Sequence, residues 1–207
     1  MNNLKEGFDG NHFDKYSSKN IFVKLIMKNF TLCLQDLVNT FENKNFFDLG
    51  CGDVHWMNHF SQKGFFVRGG DHSDKQLKII KEKYNFDGYK IDLYNSSFVS
   101  EMNKILTNEK INNILFSEVL EHLINPDQIL HIVSQLDFKN LVITVPNEPL
   151  WRLLNLMRGK YLRQLGNTPG HINHFNKKSL ETLLKKAKFK IDNIKTSQPF
   201  LLYKCSK

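Results

Sequence analysis

The chain has 207 residues, 41% of them hydrophobic and 12% aromatic, and carries 29 Lys and Arg against 21 Asp and Glu for a formal net charge of +8. That content excludes a disordered chain, and the length suits one enzyme-sized domain rather than two, since domains run about 100–200 residues. The lysines are dispersed at helical and loop spacings rather than gathered in a tract, which favours solvated helix faces over a nucleic-acid surface.

Taken in order, Met1–Lys19 is polar, and Ile21, Phe22, Leu25, Ile26, Phe30, Leu32, Leu34, Leu37 and Val38 then make a helical stripe within residues 20–43. Residues 1–44 are therefore expected to form an N-terminal helical cap. A strand at Asn45–Leu49 runs into the turn Gly50-Cys51-Gly52-Asp53, followed by a helix at 54–63, a strand at 65–68 and a helix at 74–84. A strand at 88–93, a helix at 98–108, a strand at 111–117, a helix at 126–136 and a strand at 140–145 continue the alternation. Strands alternating with helices predict an α/β, doubly wound, mostly parallel sheet, seven-stranded once the last two strands are counted.

From 146 to 175 the rhythm breaks into a Pro-flanked turn, a basic amphipathic helix at 150–163 and the Gly166–His171 turn, expected to form a substrate-side insertion. A helix at 177–188 and strands at 189–196 and 200–205, joined by Ser197-Gln198-Pro199, complete one domain spanning 1–207. Cys33, Cys51 and Cys205 are too few and scattered for a disulfide framework or a cysteine zinc site. No run of about 18 apolar residues appears, so a reduced, cytoplasmic chain without a membrane span is expected.

Chemistry concentrates at predicted strand ends, where ligands bind in open α/β sheets. The two glycines after the first strand permit close backbone approach to a ligand, and Asp48 just before them suits a cation. A pyrophosphate site would read G-x-G-x-x-G instead. Asp71 follows the second strand 19 residues beyond Gly52, close to the spacing of about 20 at which an acid reaches a ribose hydroxyl. Asp92 and Glu118 close the third and fourth strands. Any one of these could be an N-cap or turn residue; four in succession point to a single site.

Asp48-x-Gly50-x-Gly52 resembles motif I of the class I S-adenosylmethionine-dependent methyltransferases, D/E-x-G-x-G-x-G, with Val54 at the third glycine. Glu118-Val119-Leu120-Glu121-His122-Leu123 resembles the segment after their fourth strand, and the likeness covers Phe46–Phe189. It implies a Rossmann-like fold with an antiparallel last strand. It also implies S-adenosylmethionine contacts from Asp48, Gly50, Cys51, Gly52, Asp71, His72, Asp92, Leu93 and Glu118, with Asp71 at the ribose and Asp92 beside the adenine.

On the acceptor side, Glu118, Glu121 and His122 stand at i, i+3, i+4, which gathers them on one face if the segment turns helically. Pro169–Phe175 adds His171 and His174. This arrangement resembles the metal sites of the small-RNA 3′-terminal 2′-O-methyltransferases and the ubiquinone-biosynthesis O-methyltransferases. That likeness implies a divalent ion, Mg²⁺, Mn²⁺ or Zn²⁺, on Glu118, Glu121, His122 and His171. Without metal, His171 or His174 would serve as general base, imidazole titrating near neutral pH, or would simply pack.

Trp151, Arg152, Leu154, Arg158, Tyr161 and Leu162 are expected to roof the acceptor pocket with the N-terminal helix, and Tyr16 to help close it. The expected activity is methyl transfer to a small-molecule, glycan or lipid-precursor hydroxyl. RNA 2′-O-methylation and a non-catalytic S-adenosylmethionine-binding module are the alternatives. Adenine or glutamine N-methylation is disfavoured, because Ser117-Glu118-Val119-Leu120 stands where those enzymes carry an Asn/Asp-Pro-Pro-aromatic turn.

Overall fold

The computed structural model describes residues 18–207. The first helix, α1 (Ile21–Val38), opens on Asn20, whose side chain accepts from Phe22 N at 2.9 Å and Val23 N at 3.3 Å, satisfying two amides that the helix cannot. It ends at Val38 rather than continuing to 43, because the Thr40 hydroxyl caps the Leu37 carbonyl at 2.6 Å and competes with the helical ladder.

Two central strands follow the same rule. β1 (Asn45–Leu49) and a later strand, β4 (Asn113–Ser117), are nearly continuous apolar runs because helices cover both faces of the sheet. Between them lie α2 (His55–Ser61), β2 (Phe66–Asp71), α3 (Asp74–Tyr84), β3 (Tyr89–Lys90) and α4 (Phe98–Asn108). β2 reaches Asp71, past the expected end at 68, because its glycines fit a crowded place. A Cβ on Gly69 would lie 2.5 Å from the Met57 sulfur, and one on Gly70 would collide with Ile91. β3 is shorter than the expected 88–93. Asp92 accepts from Tyr94 N at 2.9 Å, turning the chain out of the sheet.

After β4 come α5 (Pro126–Val133), β5 (Asn140–Pro146), α6 (Leu150–Met157), α7 (Lys177–Lys186), β6 (Lys190–Ser197) and β7 (Phe200–Ser206). The sheet order is β3-β2-β1-β4-β5-β7-β6, with β7 antiparallel to both β5 and β6 and the other pairs parallel. This is the doubly wound, seven-stranded arrangement expected. Strand order reverses between β1 and β4, the switch point beyond whose carboxyl ends open α/β sheets bind their ligands.

One helix is shorter than its pattern suggests. The basic stripe of 150–163 folds as α6 followed by a 3₁₀ turn at Leu162–Gln164, because Gly159 (φ +66) and Tyr161 (φ +54) reverse the chain. On one face of the sheet, α1 buries Phe30, whose ring lies 4.5 Å from Phe200 and 5.6 Å from Trp56. Among the described residues no helix is long and apolar enough to cross a membrane. Tyr16 lies outside the described residues.

Candidate functional site

At the carboxyl end of β1, the loop 50–54 is held open by main-chain ties to β2. Gly50 N and Cys51 N both donate to the Gly70 carbonyl, at 2.8 and 3.0 Å. The Asp71 carboxylate completes the frame: Oδ2 accepts from Gly52 N and Oδ1 from Ser73 N, each at 3.0 Å, while His72 Nδ1 lies 3.2 Å from Oδ1. Gln76 Nε2 donates to the Gly52 carbonyl at 2.7 Å. Asp71 is thus buried at the strand tip and serves as a clamp between two loops. Across the crevice, a Cβ on Gly50 (φ +78) would lie 2.7 Å from Val119 Cγ2, so only glycine lets these loops meet.

Asp48 is buried one layer deeper, and its Oδ2 has no hydrogen-bond partner. Burial chiefly, with the nearby charges of Asp53 and Asp71 adding to it, pushes its carboxyl up to about 8. Convergent carboxylates with one oxygen left unbonded are unfavourable alone and favourable around a cation.

Val54, at the third motif position, adopts φ 56, ψ 20, the left-handed conformation that glycine takes without cost. For a β-branched residue this stores about 1–3 kcal/mol. Its amide closes a turn onto the Cys51 carbonyl at 2.9 Å, and its side chain is fully buried. The loop therefore keeps a glycine-like path without the glycine.

The remaining acids sit differently. Asp92 is exposed two residues beyond β3, and Leu93 beside it is half-buried. Tyr94 follows them, its hydroxyl accepting from Ile124 N at 2.8 Å and so tying this loop to the segment after β4. Glu118 adopts φ 56, with its amide donating to the Thr144 carbonyl at 3.0 Å. The expected i, i+3, i+4 face is not formed: the helical turn is a 3₁₀ turn starting only at Leu120, and the left-handed backbone separates Glu118 from it.

Glu121 and His122 instead meet His171, with one ligand atom from each lying within 4.8 Å of the others. Glu118 and His174 are not in that group. The His171 ring lies 4.9 Å from His122 edge-on and 6.2 Å from Trp151. His122 Nδ1 lies 2.9 Å from the Gly170 carbonyl, a contact that makes Nδ1 the protonated nitrogen.

The loop carrying these histidines is stitched at both ends. Ile172 N and Asn173 N donate to the Glu121 carbonyl at 3.0 Å, and Asn173 Nδ2 donates to the Leu120 and Leu123 carbonyls. On its other side Trp151 Nε1 donates to Thr168 Oγ1 at 2.9 Å, and the buried Asn155 donates to the Gly166 carbonyl at 2.9 Å.

His174 stands apart, part-exposed, with Nδ1 3.8 Å from Oε1 of the buried Glu148. Burial pushes the Glu148 carboxyl up, against the lowering effects of the Arg152 amide and the His174 charge. Glu148, Asn155, Thr168 and Asn173 have no counterpart in the sequence reading. Glu148 alone carried a signal, being a further acid at a strand tip.

A parallel sheet with a glycine loop and acids at its carboxyl edge defines a nucleoside-cofactor α/β enzyme. The chain belongs to the family described as a methyltransferase domain, which matches residues 22–194, and it is an S-adenosylmethionine-dependent methyltransferase. Its fold is similar to that of a SAM-dependent methyltransferase from Archaeoglobus fulgidus, with 17% identity, 91% of this chain and 100% of that one covered, and a TM-score of 0.59. It is likewise similar to magnesium protoporphyrin IX methyltransferase from Synechocystis PCC 6803, solved with bound SAH, with 15% identity, 93% and 91% covered, and a TM-score of 0.59. The methyltransferase domain of bacterial CtHen1-CN is 15% identical, with 89% and 99% covered and a TM-score of 0.59. No curated protein sequence matches the chain.

The buried Asp48 makes a prediction for stability. Its carboxyl holds a proton in the folded state up to about 8, whereas in the unfolded chain it ionises near about 4, so wild-type stability falls as pH rises through that window. Urea midpoints of Asp48→Asn are expected to rise relative to wild type from acid to pH 8 and then run parallel; parallel profiles throughout would contradict the assignment.

Proposed function

We propose that this chain moves the methyl group of S-adenosylmethionine to a hydroxyl of a small-molecule, glycan or lipid-precursor acceptor, with His174 receiving the proton. The cofactor, when bound, supplies an electrophilic methyl on a cationic sulfur. Asp48, protonated up to about 8 when its buried oxygen is unbonded, would ionise beside a positively charged ligand, and the clamped Asp71 fits ribose hydroxyls. Cys51 and the glycines line the near wall, His72 and Glu118 flank it, and Asp92 with Leu93 borders the adenine. Roofed by residues 146–175, the acceptor would lie towards β5.

The Glu148–His174 pair carries the acceptor reading. Glu148 Oε1 lies 3.8 Å from Nδ1 without a hydrogen bond to it; closing that gap would put the ring proton on Nδ1 and leave the Nε2 lone pair for the acceptor. His174 Nε2 takes the hydroxyl proton as the oxygen–methyl bond forms, and Glu148 stabilises the resulting imidazolium. His174→Ala is expected to lower methyl transfer from labelled S-adenosylmethionine by about 10²–10⁴-fold across a hydroxyl acceptor panel, with cofactor affinity unchanged. Glu148→Gln is expected to lower the rate as well, because the imidazolium formed in the step loses the nearby carboxylate. An unaltered rate in His174→Ala would remove the base assignment.

A second reading rests on the Glu121, His122 and His171 group. One carboxylate and two imidazoles suit Mn²⁺ or Zn²⁺ better than Mg²⁺, and the Gly170 contact at Nδ1 leaves Nε2 of His122 as its ligating atom. A bound ion would act as a Lewis acid towards an acceptor hydroxyl. Equilibrium dialysis against Mn²⁺ or Zn²⁺ is expected to show about one ion per chain, lost in His122→Ala and in His171→Ala. Equal metal content in wild type and both variants would exclude this reading.

A further inference from the structure

Two loops that leave the carboxyl edge of the sheet meet although their strands are not neighbours. One is the turn 92–97 after β3, the other the segment 118–125 after β4, and in the order β3-β2-β1-β4 two strands stand between them. At about 4.8 Å per strand, β3 and β4 lie about 14 Å apart. Tyr94 joins the loops. Its hydroxyl donates to the Ile124 carbonyl at 3.2 Å and accepts from the Ile124 amide at 2.8 Å, so both roles of one O–H are used on the main chain of one residue. The turn leads into α4 and the segment into α5, whose Phe98, Met102, Ile129 and Leu130 share one core cluster. The bridge therefore ties the carboxyl edge together on the side those helices cover, beside the strand tips that carry Gly50, Gly52 and Asp71.

The two ends of the bridge are held unequally. Ile124 is flanked by fixed backbone: Asn125 has φ 54, Pro126 opens α5, and the Leu123 carbonyl accepts from Asn173 Nδ2 at 2.6 Å. Among the described residues, the turn 92–97 has local hydrogen bonds besides the bridge. Asp92 Oδ1 accepts from Tyr94 N at 2.9 Å, Asn95 N donates to the Asp92 carbonyl at 3.1 Å, and Asn95 Oδ1 accepts from Ser97 N at 3.0 Å. Such bonds fix the shape of a turn but not its place in the molecule, so the reach of the exposed Asp92 follows from where Tyr94 is pinned. The Tyr94 ring is 56% exposed and gains little by burial; what tyrosine adds there over phenylalanine is the hydroxyl.

We propose that Tyr94 is a positioning residue for the cofactor, its hydroxyl latching the 92–97 turn to Ile124 so that Asp92 is held at the edge of the adenine. The role rests on the proposed place of Asp92 beside that base and names what keeps it there. With Oδ1 turned onto Tyr94 N, Oδ2 is the oxygen that meets the exocyclic amino group. An amino group donates to a carboxylate, whereas an oxo group in its place presents lone pairs, so a pinned Asp92 also selects the base.

The test is calorimetric titration of the full chain with S-adenosylhomocysteine and with its analogue in which oxo replaces the adenine amino group. Wild type is expected to prefer the adenine form. Tyr94→Phe keeps the ring and is expected to weaken S-adenosylhomocysteine about tenfold, chiefly through faster dissociation in stopped flow, and to bring the two affinities together, with circular dichroism matching wild type. Asp92→Ala should weaken S-adenosylhomocysteine as well, and the double variant should lose little more than either single one. Unchanged affinity in Tyr94→Phe beside a loss in Asp92→Ala would overturn the latch and leave the adenine border in place. An equal loss for both ligands in Tyr94→Phe would also overturn it, being the mark of a general loosening. Full affinity in Asp92→Ala would remove the adenine border itself, and the latch with it.

Discussion

The site depends on one contact: the Asp71 carboxylate bridging Gly52 N and Ser73 N at 3.0 Å each. It joins the end of β2 to the loop after β1, fixing the spacing of the two backbones. The charge that makes this clamp strong also gives the crevice its sign. Hydrogen bonds to a charged acceptor contribute about 1.5–3 kcal/mol, roughly twice a neutral pair, so one side chain both shapes the loop and polarises it.

Around that clamp the molecule tolerates arrangements that weaken it in isolation. Asp48 is buried with an unbonded oxygen, while Val54 and Glu118 occupy left-handed backbone. Each is unfavourable for folding, and all three lie at the point where strand order reverses. The large apolar core beneath, with Phe46, Phe47, Leu49, Leu115 and Phe116 fully buried, supplies the stability against which such local strain is held. Unfavourable terms that cluster at one crevice are the physical signature of a place kept ready for a ligand.

Much of this was legible in the sequence because it depends on local rules. Apolar runs of strand length, acids at their ends and the Gly50-x-Gly52 turn predict sheet, switch point and cofactor without long-range information. What was hidden depends on contacts between distant segments. The helical reading of Glu118–His122 failed because Glu118 bonds across to Thr144 rather than along its own turn. The single helix expected at 150–163 failed because Asn155 and Trp151 draw the following loop back onto α6. Glu148 is one acid among many in sequence, and only packing sets it beside His174. Val54 is the instructive case: sequence reads it as a departure from the motif, whereas the backbone there follows the path a glycine would take.

The proposed binding of the cationic methyl donor by buried strand-tip acids rests first on Asp71. The most direct test is calorimetric titration of S-adenosylmethionine into wild type and Asp71→Ala at one pH. Loss of the clamp and its charge should weaken binding about 10- to 100-fold, the equivalent of about 1.5–3 kcal/mol, with the fold retained by circular dichroism. Equal affinity in the two proteins would contradict it.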